Sequence, residues 1–504
     1  MTTSGNNQTE PTLDPDDWAA TREVAHQMVD DMLDYLQSVR ERPAWRTVPA
    51  NSKDTLLTPI PHKGQPLADV YATFKEHILP FPTGNLHPAF FGWVMGNGTP
   101  TGMLADMLAA GMNAHLAGYD QSASLIEKQV IRWLAELVGY PADASGLLVS
   151  GGTMANLNAL VVARHHKAGF DVRTQGLQIN DTPMLRVYGS SETHSWIYKA
   201  CEVMGLGRNA FRSIQVNNQF EIDVDACRQQ IQADITAGER PFCINGNAGT
   251  VNTGAVDDLH ALRELADEFD LWFHVDGAFG SLAAWSDDTR DLVAGQERAD
   301  SMAFDLHKWG YMPYDIGCVV TRLTDAQNNA FATQASYLSP TQRGLAVDNT
   351  YFADKGIQLS RSFRALKAWM CMQEQGVDRI GQRIATNIKQ ARQLADLIEQ
   401  HECLEVMAPV AMNIVCYRYI DPTLSDAQLN AINEEILLRI HESGTAVPSQ
   451  TYLNGRFAIR VCNANHRTQL SDLNTLVANT IRFATQIVNE QAIDPRNAAP
   501  APQN

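Results

Sequence analysis

Basic residues are in deficit, with 39 Lys and Arg against 57 Asp and Glu and a formal net charge of −18. A chain that holds nucleic acid through phosphate contacts needs the opposite balance, so no nucleic-acid partner is expected. Paired cysteines are missing as well. The eight present form no CxxC and no zinc-ligand spacing, which reads as incidental thiols in a reducing compartment, with no metal site. No apolar run reaches the roughly 18 residues of a membrane helix. The opening "MTTSGNNQTEPTLDPDDW" lacks the basic and apolar regions of a secretory leader. A cytoplasmic protein without a membrane partner is the expectation.

What is present is 504 residues, 44% of them hydrophobic, enough for more than one core. Residues 1 to about 15 are polar, contain Pro11 and Pro15, and are expected to be disordered. From Trp18 to Arg40, Val24, Met28, Met32, Tyr35, Leu36 and Val39 recur at helical spacing. Periodicity alone leaves open whether that stripe packs on its own subunit or on a partner. A long helical region then runs to about Tyr140. Beyond it, short apolar runs alternate with helical segments: "GLLVS", "MLRVYG", "PFCING", "LWFHVD", "SMAFD" and "GCVVT". Strands apolar throughout and separated by helices predict an α/β fold with a parallel sheet covered on both faces. The expected organisation is a helical segment over 1–108, a large domain over 109–375, a small α+β domain over 376–488 and a disordered tail over 489–504.

In such sheets ligand groups gather beyond the carboxyl ends of the strands, and four strand ends carry polar residues of particular kinds. "VSGGTMANLNAL" sets Ser150-Gly151-Gly152-Thr153 before a helix whose first amides suit a phosphate, although a Gly-Gly turn is often only a turn. "SSETHSW" places His194 at the opening of a helix, as a cap or as a site residue. "HVDGAFG" ends a strand on Asp276, a carboxylate for a protonated ring nitrogen or a local turn acceptor. "SMAFDLHKWG" puts Lys308 at a strand end, where desolvation would lower its pKa for Schiff-base chemistry unless it snorkels to water. Taken together, these are the parts that hold pyridoxal phosphate (PLP).

The four motifs, with "HPAFFGWVMGNGTPTGMLADML" and "LSRSFRALKAWM", resemble the PLP-dependent amino-acid decarboxylases of the aromatic and glutamate decarboxylase family, from about Thr21 to His466. The resemblance implies an aspartate-aminotransferase-like fold with a mainly parallel seven-stranded sheet. It assigns the Schiff base to Lys308, the pyridine-nitrogen partner to Asp276, ring packing to Ala278 and stacking on the opposite ring face to His194. Phosphate contacts fall to Ser150, Gly151, Gly152 and Thr153, with His307 beside the phosphate and the substrate carboxylate. Asn247 stands where aromatic-acid members carry threonine and is counted with the cofactor residues. Asp305 is left out, because a carboxylate beside a phosphate is unfavourable unless it turns away or finds a cation.

The same resemblance places a mobile lid within 336–356, with Tyr351 returning the proton to Cα. Phenylalanine in that slot is associated with aldehyde formation, and Phe352 is adjacent. It further implies a homodimer with shared active sites and exchanged N-terminal helices, and a substrate pocket lined by His87, Phe90, Phe91 and Trp93. The implied reaction is decarboxylation of an L-amino acid, preferably aromatic, to an amine and CO2. An aldehyde synthase, or a decarboxylase of acidic or basic amino acids, is the alternative.

Overall fold

A computed structural model describes residues 10, 12–177, 182–333, 341, 343–347 and 351–493, with side chains to residue 490. The expected disorder of the first residues therefore falls mostly outside the described residues, as does the tail from 494 onward. Among the described residues, no helix is long and apolar enough to cross a membrane.

Seven strands form one sheet: β1 Ser145–Val149, β2 Leu185–Ser190, β3 Phe211–Ile214, β4 Arg240–Asn247, β5 Trp272–Asp276, β6 Ser301–Asp305 and β7 Gly317–Thr321. Their order is β1-β7-β6-β5-β4-β2-β3. Only β7 runs against its neighbours; the β2–β6 pairings and β3 are parallel. β1, β2, β5, β6 and β7 are buried at every position, which is why they read as continuous apolar runs rather than alternating ones. Register brings Asn247 beside Asp276 and Asp276 beside Ala303. The carboxyl ends of β4, β5 and β6 thus share one edge, and Val149 and Asp305 both face Gly317 there.

The helix Val377–Glu399 leads into a small antiparallel sheet: β8 Leu404–Val406, β9 Ile414–Tyr419, β10 Ser449–Leu453 and β11 Arg456–Cys462, in the order β10-β11-β9-β8. Helices Asp426–Glu442 and Leu470–Ile493 close its core, with Tyr417, Ile436, Phe457 and Leu476 fully buried.

Several boundaries differ from the sequence reading. The first helix ends at Gln37, where the Ser38 N–H bonds to the Asp34 carbonyl. The long region before Tyr140 is two helices, Pro100–Met112 and Ser122–Leu137, parted where Asn113 takes a left-handed conformation (φ 48°). The terminal helix runs to Ile493, past the expected tail boundary at 489, because Arg439 clamps Glu490 with bonds of 2.9 and 2.6 Å.

Candidate active site

The shared strand edge opens into a cavity of about 550 Å³. Its floor comes from the ends of β5 and β6 and its phosphate-sized end from the turn after β1. Lys308, His307, Asp276, Ala278, Asn247 and His194 all line it, as do Ser150, Gly151, Gly152 and Thr153. Residues separated by up to 158 positions (308 − 150) meet because parallel strands return to the same edge.

At the phosphate end, the helix Gly152–Lys167 starts with no side-chain cap, so its first-turn amides stay available to an anion. The glycines leave no slack. A Cβ on Gly152 would stand 2.8 Å from Asp305 Oδ2, and one on Gly151 would stand 3.0 Å from His307 Cε1. His307 is buried and fixed by its backbone partner: Ile316 N–H donates to its Nδ1 (3.1 Å), and burial pushes its pKa down. Its ring lies 4.4 Å from that of Tyr314.

Asp276 has both oxygens anchored. Trp196 Nε1–H donates to Oδ2 (2.6 Å) and Ala278 N–H to Oδ1 (3.2 Å). Two positions back along β5, buried His274 bonds to Asn156 (2.7 Å) and Ser301 (2.9 Å). Burial lowers its pKa to about 4, against the pull of Asp276. A neutral His274 leaves the Asp276 charge uncompensated from behind. Gly277 is required by space, since a Cβ there would fall 1.6 Å from Ser281 Oγ. His194 accepts from Trp196 N–H at Nδ1 (3.2 Å), which leaves the proton on Nε2; burial pushes its pKa down.

Lys308 departs from the expectation of a depressed pKa. Burial disfavours its charge, but Asp305 and Asp276 outweigh that, and its pKa is raised. Its Nζ lies 3.1 Å from Asp305 Oδ2. Asp305 therefore belongs to the site after all: it lines the cavity, is 1% exposed, and its Oδ1 has no protein partner. It is held there by packing, since a Cβ on Gly317 would come within 2.6 Å of that Oδ1. Asn247 lines the cavity too, but its amide serves the scaffold. Its Nδ2 donates to Asp257 (2.8 Å), Ser190 (3.2 Å) and Thr193 (3.3 Å).

The expected substrate residues divide. Trp93 lines the cavity and is 52% exposed. Phe90 instead packs with Ala44 and Val447, and Phe91 is fully buried in the core of the small domain. His87 is also buried, its Nδ1 accepting from Ala89 N–H. The cause is pairing: Phe91 N–H bonds to the Val447 carbonyl, so "AFF" is absorbed by the small domain. Only then does Trp93, in the left-handed region (φ 51°), turn the chain toward the cavity. Val94, Met95, Phe279, Tyr314 and Glu192 also line it; the sequence reading assigns none of them to the site, although all but Tyr314 lie within the motifs it quotes. Tyr351 is half-buried with its ring 6.2 Å from Tyr119, outside this cavity wall. Phe352 is 1% exposed beneath the Arg361 guanidinium. Much of the expected lid, 336–340, 342 and 348–350, lies outside the described residues.

An uncapped helix start, a doubly anchored carboxylate, and a lysine beside a buried, partnerless carboxylate oxygen fit PLP. Comparison with known proteins agrees. The pyridoxal-dependent decarboxylase conserved domain matches residues 49–420. An aromatic-L-amino-acid decarboxylase of Bacillus atrophaeus is 34% identical over 458 residues, 90% of this chain and 93% of that one. A phenylacetaldehyde synthase of Arabidopsis thaliana is 29% identical over 463 residues, 89% of this chain and 92% of the other. The crystal structure of Oryza sativa TDC with PLP and tryptamine superposes with a TM-score of 0.87 at 25% identity, covering 94% of this chain and all of that one. The chain belongs to the pyridoxal-dependent decarboxylase family and is a PLP-dependent amino-acid carboxy-lyase.

Proposed function

We propose that the enzyme decarboxylates an aromatic L-amino acid to its amine, as a homodimer. The observation that carries the substrate class is the apolar and aromatic part of the cavity lining. Trp93, Phe279 and Tyr314 contribute rings, Val94 and Met95 contribute apolar surface, and among the described residues no arginine lines the cavity. A substrate with a second carboxylate would find no cation for it there and would meet Glu192 instead. Relatives named for aromatic substrates support the same reading.

Bound PLP supplies an electron-withdrawing ring that takes up the electron pair released as the bond from Cα to the carboxylate breaks. The chain's residues do the rest. Asp276 would keep the cofactor's ring nitrogen protonated, Lys308 Nζ would be its point of attachment, and Asp305 Oδ2 lies 3.1 Å from that Nζ. His194 and Ala278 would hold the ring between them, and His307 would sit by the substrate carboxylate.

Across a panel including tryptophan, tyrosine, phenylalanine, glutamate and lysine, an aromatic substrate is expected to have the highest kcat/KM. Trp93→Ala should lower that value roughly 10- to 100-fold, the worth of one buried aromatic contact. Glutamate or lysine as the fastest substrate would sink the aromatic reading.

Product outcome turns on the lid tyrosine. Phe352 is committed to the core, so the aromatic residues left to serve the slot are Tyr351 and Tyr337, the latter outside the described residues. Both are tyrosines, which favours amine over aldehyde. Wild-type enzyme should release CO2 and amine in equal amounts without ammonia; stoichiometric ammonia would make it an aldehyde synthase. Tyr351→Phe and Tyr337→Phe, assayed side by side, identify the proton donor by which one diverts product to aldehyde.

The dimer reading rests on the N-terminal segment. The helix Trp18–Gln37 buries only Tyr35 in its own chain, while Trp18, Leu57 and Ile60 are 62, 83 and 74% exposed. Apolar surface on that scale calls for a cover, and a second copy supplies one. Light scattering should give twice the chain mass; a monomer with full activity would refute it.

A further inference from the structure

Behind the turn that carries Lys308 lies a second cavity, of about 420 Å³, that shares no wall residue with the first. Gly310 and Tyr311 form one side. Arg379 and Arg383, one turn apart on the helix Val377–Glu399, form another, and His466 closes it. Neither arginine is in an ion pair among the described residues. Arg383 donates from Nη2 to two main-chain carbonyls, Thr468 (2.6 Å) and Asn465 (3.5 Å), and its buried Nε has no acceptor. His466, donating from Nε2 to the Gly98 carbonyl (3.0 Å), adds no negative charge. Burial, then Arg467, Arg383 and Arg379, push its pKa down to about 4, which registers a positive local field. Among the described residues no acid lines this cavity; Glu374, beside Gln375 in the chain, is exposed and engaged by Thr101 (2.8 Å) and Gln375. Asp378 lines a different cavity.

A buried guanidinium nitrogen left without an acceptor is costly, and Arg383 Nε is one; exposed Arg379 adds a second positive charge beside it in a chain of net charge −18. Guanidinium forks match phosphate and carboxylate oxygens. We infer that this cavity binds a small dianion, a phosphate-bearing or dicarboxylate molecule, between Arg379 and Arg383. The inference stands on this cavity alone and does not depend on which amino acid the enzyme uses. The site is coupled to the turn after Lys308 through Asn387 on the same helix, whose Oδ1 accepts from Trp309 Nε1 (3.2 Å) and Tyr311 OH (2.7 Å).

The test is calorimetric titration of the PLP-loaded enzyme with inorganic phosphate and with succinate, against chloride at equal ionic strength. Saturable binding is expected for at least one dianion, and which one binds tells phosphate from dicarboxylate. R379Q/R383Q should weaken it at least ten-fold while the visible cofactor band stays unchanged. Arg379 is exposed, so R379Q alone tolerates the change and should weaken binding measurably even if the double variant misfolds. Heats equal to those of chloride, or R379Q with wild-type affinity, would overturn the inference.

Discussion

Lys308→Ala is expected to lose turnover by at least ~10³-fold, the scale on which an essential proton-transfer or nucleophilic group acts, and to hold no covalently attached cofactor. Nζ is the only lysine amine among the residues lining the cavity, so nothing substitutes for it. The same change strands Asp305, whose Oδ2 then faces no cation while Oδ1 already lacks a protein partner. Breaking one side of a buried pair is destabilising, so the thermal midpoint should fall too. Lys308→Ala/Asp305→Asn separates the two effects. It should recover the midpoint without recovering turnover, which shows that loss of activity is not loss of fold. Wild-type turnover from Lys308→Ala would refute the assignment of Lys308.

Asp276→Asn is expected to lower kcat by roughly 10²- to 10³-fold, the usual cost of one preorganised electrostatic partner, and to weaken cofactor retention. The substitution is nearly isosteric, but Asp276 accepts from two donors with two oxygens. Asparagine has one oxygen, so its amide would point a donor at either Trp196 Nε1–H or Ala278 N–H. The charge is lost as well, and neutral His274 behind it offers no replacement. Stopped-flow comparison of kcat and KM should place the loss mainly in kcat; kcat within about three-fold of wild type would remove Asp276 from the chemistry.

The large sheet and the cofactor half of the site were legible in the sequence for one reason. Strands buried on both faces announce themselves as unbroken apolar runs, and their polar ends sit beside them in the chain. Ser150, Asp276 and Lys308 each lie within a few residues of such a run. What was hidden depended on contacts between distant segments. Asp305 was excluded by its charge, yet Gly151, Gly152 and Gly317 crowd it into the cavity. That misplacement also reversed the expected pKa shift of Lys308. Phe90 and Phe91 were taken for pocket walls because "HPAFFGW" offers several aromatics and no rule for choosing. The choice is made by Val447, more than 350 residues away, which pairs with the chain at Phe91. Short strand β3 and edge strand β10, with alternating burial, carried too little apolar signal to be read.

Trp93 is held by main-chain bonds at both ends, and neither partner belongs to the large sheet. Ser449 accepts from its N–H (3.2 Å) and Arg460 donates to its carbonyl (2.9 Å). Trp93 is therefore a passenger of the small domain, whereas Phe279 and Tyr314, like Lys308 and Asp276, are fixtures of the large one. A shift of one domain against the other would change the width of the substrate slot without disturbing the cofactor's anchorage. Selection for a new side chain can accordingly work on strands β10 and β11, leaving the decarboxylation chemistry in place.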